Sequence, residues 1–389
     1  MKIAYDISQT GANKAGCGYY AFSMLNGLLK TNNDKYFTTL PNFGDFYFDS
    51  RMAFNNLFKA KNLENGPIFF TKNEADYFWN SINIESLLDY PDIIHSNNFW
   101  CPNQLRKTKL IYTFYDCSFL VNPDWTTEKN RMGCFEGALR SSIYADWIIA
   151  ISEYSKNSYL NFFPHFPENR IKIIYPRSRF GSEHFHNEGD KPEKFNNYLS
   201  RNNNFFLTVG TIEPRKNLYM LINAYSKYVN SSNNPMPLII AGGRGWMMEE
   251  LITYIKLLEL NKHIFLLGYV SDLELVWLYR NCYCNLYPSL YEGFGLPVLE
   301  GMQFGAPTIA SNTTSIPEIV KDSAILIEPE NTSDWTDALI KIANDFYMRN
   351  ELSLSAKNRA RIFELHDSSN ILSELYKEVY SKPKRFINE

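Results

Sequence analysis

Two glutamates enclose a glycine-rich turn in a pattern that suits a ligand-binding loop. Glu292 precedes the segment 293–297, with the sequence GFGLP, and Glu300 follows about one helical turn later. Glycine lets the backbone approach a ligand closely, and proline fits the first turn of a helix. Carboxylates accept hydrogen bonds from sugar hydroxyls, while exposed N–H groups at a helix start favour an anion. The pattern predicts a ligand with both hydroxyls and phosphates; the alternative is a plain turn beside a surface acid.

A second candidate is the pair of adjacent cations Arg215 and Lys216. Gly210 ends a predicted strand and a helix begins near Asn217, so the pair lies at the carboxyl end of that strand. Arginine offers a planar fork for phosphate, and lysine offers a point charge. Positive charge is mildly unfavourable at a helix start. This conflict favours a binding role over the alternative, a solvated pair.

Two weaker candidates lie in the first half of the chain. Gly16 and Gly18 stand in the loop after the first strand, but no third glycine completes a dinucleotide-binding pattern. Tyr115 and Asp116 follow another strand and would point to the crevice expected beyond the carboxyl ends of the strands. The alternatives are a flexible loop for the glycines and a buried tyrosine beside a turn aspartate for the second pair.

No metal site is predicted. The six cysteines form no C-x-x-C pair and no zinc spacing, and no H-E-x-x-H helix or Ser-His-Asp order occurs. His95, with Asn98 close behind it, ends a strand, although a lone histidine of this kind is more often structural.

The elements that carry these residues follow one order twice. Short apolar strands alternate with amphipathic helices, as in doubly wound α/β units. Predicted strands cover 2–7, 93–95, 110–114, 147–151, 171–174, 205–209, 238–241, 264–267, 284–287 and 308–310, and predicted helices include 19–29, 217–229 and 371–380. Gly, Pro and Asn between 180 and 204 indicate an interdomain linker.

Two tandem domains are therefore expected, covering 1–190 and 191–370. The segment 371–389 contains a helix that we expect to pack back toward the first domain. Ligands of such sheets bind in the crevice beyond the carboxyl ends of the strands.

Composition excludes several classes of protein. Of the 389 residues, 45% are hydrophobic and 21% charged, so the chain is too apolar to be disordered. A formal net charge of −3, from 39 basic and 42 acidic residues, argues against nonspecific nucleic-acid binding. No stretch is apolar enough for a membrane span, and the N-terminus lacks a signal-peptide core. We expect a cytoplasmic protein with at most peripheral membrane contact.

Together these segments resemble the retaining glycosyltransferases of family four, especially bacterial surface-polysaccharide and mannosyltransferase members. Glu292 and Glu300 match the family's E-x7-E signature, and EPRKN at 213–217 matches its phosphate-binding motif. YDCSFL at 115–120 is similar to the family's HD-x-SFL segment, with tyrosine in place of histidine. The resemblance implies the GT-B fold, in which two Rossmann-like domains face each other across a cleft.

The resemblance also implies a role for each matched residue. Arg215 and Lys216 would neutralise the diphosphate of a nucleotide-sugar donor, and Glu300 would bind the ribose hydroxyls. Glu292 would contact the donor sugar. Further donor-binding residues would be Gly16, Gly18, Gly210, Tyr269, Val270, Gly293, Phe294, Gly295 and Leu296. Asp116 and Tyr115 would complete the catalytic set, with His95, Asn98 and Tyr115 on the acceptor side.

The activity implied is metal-independent, retaining transfer of a sugar from a nucleotide-diphosphate donor, GDP-mannose or a UDP-sugar, to a glycan or lipid-linked glycan. No cofactor is expected, because the nucleotide sugar is a co-substrate. Two alternatives stay open. Tyr115 in place of histidine would suit a catalytically silent sugar-nucleotide or glycan-binding partner of another transferase. A nucleotide-sugar epimerase is less favoured by the E-x7-E and EPRKN pairing.

Overall fold

The computed structural model describes residues 1–10, 16–31, 34–39, 60–67, 69, 72–97, 99–193, 204–243 and 248–385. The chain groups into two compact units. Unit 1 comprises Met1–Arg177 together with His366–Glu389, and unit 2 comprises Ser178–Leu365. The units therefore change at 177/178 and 365/366, where the sequence suggested 190/191 and 370/371.

Unit 1 is built on a parallel sheet. Its strands are β1 (Lys2–Asp6), β2 (Lys35–Thr39), β3 (Leu63–Asn65), β4 (Ile93–Asn97), β5 (Lys109–Phe114), β6 (Trp147–Ala150) and β7 (Ile171–Ile173). Within the described residues the strand order is β3-β2-β1-β4-β5-β6-β7. The helices are α1 (Gly16–Thr31), α2 (Lys72–Trp79), α3 (Ile84–Leu87), α4 (Ser118–Val121), α5 (Glu128–Tyr144) and α6 (Glu153–Phe162), with a C-terminal helix considered below.

Unit 2 repeats this plan. Its parallel strands are β8 (Phe206–Val209), β9 (Leu238–Ala241), β10 (Ile264–Gly268), β11 (Cys284–Tyr287), β12 (Thr308–Ser311) and β13 (Ile325–Ile327), in the order β10-β9-β8-β11-β12-β13. The helices are α7 (Ser182–Phe185), α8 (Leu218–Ser231), α9 (Met248–Leu257), α10 (Asp272–Asn281), α11 (Leu296–Gln303), α12 (Ile316–Val320), α13 (Thr332–Asn344) and α14 (Phe346–Leu365).

Alternation along the strands explains why helices cover both faces of the unit 2 sheet. Phe206 packs in one apolar cluster, while its neighbours Leu207 and Val209 pack in another. Successive side chains of a strand point to opposite faces, so a strand that is apolar at every position needs cover on both sides. The two parallel-sheet α/β units expected from the sequence are confirmed.

The strand order reverses once in each sheet, and this reversal determines where a site can form. In unit 1 it falls between β1 and β4, and in unit 2 between β8 and β11. Connections leave these neighbouring strands toward opposite sides, so their carboxyl ends stay open to a ligand. The loops that follow β8 and β11 carry the EPRKN and E-x7-E segments.

The segment 180–204, expected to be a linker, contributes to the core of unit 2 over its described part. Phe180 is buried and packs edge-on against Phe304, with ring centroids 5.2 Å apart. The sequence Ser271-x-x-Glu274 predicts a capping box at the start of α10, and the structure confirms it. The Ser271 side chain accepts from the Glu274 N–H at 3.2 Å, and the Glu274 carboxylate accepts from the Ser271 N–H at 2.7 Å.

The C-terminal helix α15 (Ser368–Ser381) belongs to unit 1 and packs on α1. Its Tyr376 hydroxyl lies 2.6 Å from Nδ1 of His95, and Nε2 of His95 lies 2.7 Å from the Thr113 hydroxyl. All three side chains are fully buried. Burial lowers the pKa of His95 to about 3, so the imidazole is neutral at physiological pH. One ring nitrogen then donates to the hydroxyl beside it, and the other accepts from its own hydroxyl partner.

Among the described residues, no helix combines the length and the apolar character that crossing a bilayer requires.

Tyr376→Phe should lower the free energy of unfolding by about 1–3 kcal/mol, because one nitrogen of the buried His95 ring loses its partner. Tyr380→Phe on the same helix is the matched control. Tyr380 is 53% exposed, and its change should stay within roughly 0.5 kcal/mol. Urea unfolding of both variants measures the difference. Equal stabilities would show that this contact does not hold the helix in unit 1.

Candidate active site

The loops after β8 and β11 are joined by backbone and amide hydrogen bonds. After β8 the chain forms a short 3₁₀ turn, Pro214–Lys216, and Asn217 then takes a left-handed conformation with φ 56°. The Asn217 amide donates to the carbonyls of Pro288, at 3.2 Å, and Pro329, at 2.7 Å. The Leu290 N–H donates to the carbonyl of Arg215 at 2.8 Å. These bonds hold the two loops side by side.

At this junction an ion cluster joins the buried Lys216 and Glu292 to the partly exposed Arg215. Nζ of Lys216 donates to Oε1 of Glu292 at 2.6 Å, and Nη1 of Arg215 donates to Oε2 at 2.9 Å. The Tyr287 hydroxyl, at the end of β11, donates to Oε1 at 2.9 Å. Arg215 also pairs with Glu213 at 2.6 Å. The two cations and two carboxylates balance in charge.

Burial and charge oppose each other at Glu292. Its side chain is only 6% exposed, which by itself raises the pKa of the carboxyl. The neighbouring charges of Lys216 and Arg215 outweigh burial and lower the pKa to about 2. Burial lowers the pKa of Lys216, and Glu292 opposes that shift. Glu292 is therefore a carboxylate that fixes both cations at the strand ends.

Two glycines make room for this arrangement. A Cβ on Gly210 would lie 3.2 Å from Cε of Lys216, so glycine leaves space for the lysine stem. Gly295 has φ 110°, and a Cβ there would approach Ile316 Cδ1 to 2.7 Å. Both the conformation and the space therefore require glycine at the start of α11.

The turn between the two glutamates is fixed from behind. The Ser315 hydroxyl lies within hydrogen-bond distance of two carbonyls, those of Glu292 at 2.9 Å and Phe294 at 2.7 Å. The Phe294 ring is buried and packs edge-on against Phe363. Gly293 lies within this turn, and Leu296 is the first residue of α11. The turn thus leads directly into a helix N-terminus beside the ion cluster.

Glu300, on α11, lies in a different environment from Glu292. It is fully buried, and its Oε1 accepts from Nε of Arg179 at 2.8 Å. The Tyr279 hydroxyl is 3.3 Å from Oε2, and Nη1 of Arg179 is 3.3 Å from Oδ1 of Asp272. Burial raises the pKa of Glu300, and Arg179 opposes the shift. Glu300 therefore has a different cationic partner from Glu292 and a pKa shift in the opposite direction.

The two residues expected near a nucleobase follow β10. Tyr269 is 69% exposed, whereas Val270 is partly buried against an apolar cluster of unit 2. Asp272 begins α10 directly after them. The exposed ring of Tyr269 therefore lies three residues before Asp272, which pairs with Arg179.

In unit 1, Tyr115 follows β5, and its side chain reaches the end of β4, one of the two strands at the strand-order reversal. Its hydroxyl donates to the Cys17 carbonyl in the first turn of α1 at 3.1 Å and lies 3.4 Å from Oδ1 of Asn97. Burial raises its pKa well above the ordinary value. Gly16 and Gly18, placed by the sequence in a loop, instead lie in the first turn of α1. Tyr115 thus holds the beginning of this helix.

Three further predicted residues have different surroundings. Oδ1 of Asp116 accepts from the N–H of Ser118 at 2.9 Å and from its hydroxyl at 2.7 Å, in a local turn. His95 is enclosed in the core with both ring nitrogens occupied, so we leave it out of the acceptor-binding set. Asn98 lies outside the described residues.

Several residues of these sites were not predicted. Tyr287 and Asp6 are the last residues of β11 and β1, and their positions at strand ends are the signal that could have identified them. Burial raises the pKa of Asp6 to about 6, and its Oδ1 accepts from the Ser8 N–H. Arg179 lies just before the expected linker, in no motif. Only the folded chain brings Arg179 to Glu300.

Glu292→Gln should destabilise unit 2 near pH 7 and have less effect in acid. The native pKa of Glu292 lies below its ordinary 4.5, so its stabilisation is present above that pH and is lost as pH falls toward 2. A shift of this size corresponds to roughly 3 kcal/mol. Urea unfolding from pH 2.5 to 7 tests this, with the exposed Glu249→Gln as control. A stability difference that does not change with pH would contradict the electrostatic explanation.

Comparison with known proteins bears on the family and the fold of this chain. The family model described as "Glycosyl transferases group 1" matches residues 190–359. O-antigen chain mannosyltransferase B of Escherichia coli is 30% identical over 295 residues, covering 75% of this chain and 76% of that protein. Alpha-1,3/1,6-mannosyltransferase ALG2 of Dictyostelium discoideum is 26% identical, covering 67% and 65%. A match to the E. coli serotype-specific mannosyltransferase WbdA spans 44% of this chain but only 21% of WbdA.

Solved structures show the same fold. WaaG, a glycosyltransferase involved in lipopolysaccharide biosynthesis, aligns with a TM-score of 0.71 at 14% identity, covering 96% of this chain and 98% of that chain. Anabaena HepE in complex with UDP and glucose aligns with a TM-score of 0.67 at 17% identity, covering 98% and 100%. The GT-B class is confirmed by these alignments together with the two parallel-sheet units. From its motifs, its fold and its relatives, we conclude that the chain belongs to the glycosyl transferases group 1 family.

Proposed function

We propose that this glycosyltransferase is a retaining enzyme that transfers a sugar from a nucleotide-diphosphate donor to a glycan or lipid-linked glycan acceptor in polysaccharide synthesis. The observation that carries the proposal is the Arg215–Lys216–Glu292 cluster at the strand-order reversal of unit 2. Parallel sheets bind ligands at this point. Two preformed cations beside the start of α11 suit the diphosphate of such a donor.

Preorganised charge accounts for the chemistry. Breaking the sugar–phosphate bond leaves an oxocarbenium-like sugar and a diphosphate with more negative charge. Cations already fixed near the departing oxygens stabilise that charge without reorganising. Arg215 and Lys216 are fixed by Glu292, Tyr287 and their own loops, so they meet this requirement within unit 2.

Glu292 has a second role in the proposal. Its carboxylate balances the cations, and we assign it to the donor sugar, as the E-x7-E resemblance implies. In a retaining reaction the acceptor attacks the face from which the diphosphate leaves. The departing phosphate then helps to take the acceptor proton. The proposal requires no metal and no cofactor besides the donor.

The relatives guide the choice of donor. Because relatives in E. coli and Dictyostelium discoideum are named as mannosyltransferases, we propose a mannosyl donor, with GDP-mannose as the first choice. The HepE complexes contain UDP with glucose, or UDP-glucose, so UDP-sugars belong in any test. For unit 1 we propose that Asp116, two residues after the end of β5, belongs to the catalytic set.

A second function, donor binding without turnover in support of another transferase, is favoured by Tyr115. The family's usual histidine is replaced by a phenol whose hydroxyl is engaged with Cys17. This arrangement stabilises α1 and offers no imidazole to a donor sugar.

Arg215→Met and Lys216→Met should each weaken binding of the cognate nucleoside diphosphate by about tenfold or more, the typical effect of losing a charged hydrogen bond. Turnover should fall by roughly 10²-fold, because the same groups stabilise the leaving diphosphate. Lys227→Met, at an exposed position on α8, is the control and should match the wild type. Calorimetric titration with GDP and UDP measures binding. Unchanged affinity in both variants would remove the proposed diphosphate role.

Glu292→Gln should affect binding and turnover in opposite directions. Removing the carboxylate leaves Arg215 and Lys216 with more net positive charge, so affinity for GDP or UDP should hold or increase. Turnover should fall, because the donor sugar loses the carboxylate that accepts its hydrogen bonds. Titration and transfer assays on one preparation make the comparison. A joint loss of affinity and turnover would instead indicate that Glu292 only maintains the fold.

A panel of GDP- and UDP-sugars tests the function as a whole. We expect one donor to be hydrolysed or transferred, with unchanged rates in EDTA. We also expect proton NMR to show that the product keeps the anomeric configuration of the donor. An inverted product would contradict the retaining mechanism. Tight nucleotide binding with no turnover on any donor would favour the silent alternative, and isomerisation of a donor without acceptor would point to an epimerase.

A further inference from the structure

Glu300 is a fully enclosed carboxylate whose contacting cation is Arg179. The guanidinium Nε donates to Oε1 at 2.8 Å, and the Arg179 side chain is 20% exposed while that of Glu300 is 0% exposed. An ionised carboxylate is costly to enclose unless a partner of opposite charge is hydrogen-bonded to it. The state of Glu300 therefore depends on Arg179.

The other groups around Glu300 do not replace that cation. Tyr279, on α10, supplies a hydroxyl 3.3 Å from Oε2. Asp272, at the start of the same helix, is a second acid, and its charge works against ionisation of Glu300. Arg179 also contacts Asp272 at 3.3 Å, so one guanidinium joins a buried and a half-exposed carboxylate.

We propose that Arg179 is a positioning residue that keeps Glu300 ionised and oriented for the ribose hydroxyls of the nucleotide donor. This inference rests on the proposed function and on the ribose-binding role that the family resemblance implies for Glu300. Arg179 acts through Glu300 and does not itself contact the nucleotide. An arginine suits the task because its planar fork directs Nε to one acid and Nη1 to the other, which a lysine does not do.

The consequence is a specific dependence on pH. With Arg179 present, the guanidinium opposes the rise in the pKa of Glu300 that burial and Asp272 cause, so the carboxylate is available to the ribose hydroxyls once the donor displaces the side chains that cover it. Without Arg179, burial and Asp272 both raise the pKa of Glu300, so its proton is lost only as pH increases. Nucleotide affinity in such a variant should be low near pH 6 and should recover toward pH 8.5.

Calorimetric titration of the full chain with GDP and UDP, at intervals from pH 6 to 8.5, tests the proposal. Arg179→Met should weaken binding by about tenfold at neutral pH, the usual effect of losing a charge-assisted hydrogen bond, with recovery at higher pH. Arg179→Lys should show a smaller loss and follow the wild-type pH profile. Every variant shares the titration of the diphosphate itself, so the informative quantity is the difference from wild type.

Arg349→Met is the matched control. Arg349 is also a half-buried arginine of unit 2, stacked on Tyr283 and donating to its carbonyl, directly before β11 begins. Tyr283 therefore lies at the amino end of β11, whereas Glu292 lies in the loop after its carboxyl end. The control should match wild-type affinity at every pH. Circular dichroism shows whether each variant is folded.

A double-mutant cycle tests the claim that Arg179 acts through Glu300. In a Glu300→Gln background the buried charge is gone, so adding Arg179→Met should leave nucleotide affinity and its pH profile unchanged. A further loss of affinity there would show that Arg179 contacts the nucleotide directly and would overturn the proposal. So would wild-type affinity in Arg179→Met alone. If the wild type binds neither GDP nor UDP, the proposed function fails instead.

Discussion

The contact between Glu292 and the two cations Arg215 and Lys216 is the interaction on which the site of unit 2 depends. Adjacent cations in the loop after a buried strand repel each other and lose hydration, and Glu292, with Glu213 as a second partner of Arg215, compensates both effects. Glu292 accepts from each cation on a different oxygen. Because the acid comes from the loop after β11 and the cations from the loop after β8, the same contact also joins the two neighbouring strand ends.

The two glutamates of one signature have opposite electrostatic surroundings. Two cations lower the pKa of Glu292 despite burial, whereas complete burial raises the pKa of Glu300 against a single cation. The first carboxylate therefore serves to hold charge in place. The ionisation of Glu300 depends more strongly on its partner, so we expect the loss of Arg179 to matter as much as the loss of Glu300. A seven-residue spacing across one turn and a helix start is enough to produce this difference.

Much of this could be predicted from the sequence, because local pattern encodes it. Apolar runs predict the central strands, and the capping box at Ser271 predicts the start of α10. The EPRKN and E-x7-E segments predict that Arg215, Lys216 and Glu292 follow strand ends at one crevice, although not that they contact one another. β2, β3 and β13 escaped prediction since they are short or partly polar and show no clear period.

What could not be predicted depends on contacts between distant parts of the chain. Arg179 carries no motif, and its partners lie 93 and 121 positions away along the sequence. His95 follows the pattern of a site residue, but Tyr376 encloses it from 281 positions away. The sequence suggested that the chain returns to the first unit from residue 371, but composition does not indicate that the unit already resumes at His366. Such pairings arise from packing rather than from local propensity.

A crystal structure of the full chain with GDP or UDP is the most direct test of the central claim. The account predicts diphosphate oxygens within hydrogen-bond distance of Arg215 and Lys216, close to the N-terminus of α11, with Glu292 still adjacent to both cations. A nucleotide bound away from the strand ends of β8 and β11, with these cations turned only toward their carboxylates, would contradict it.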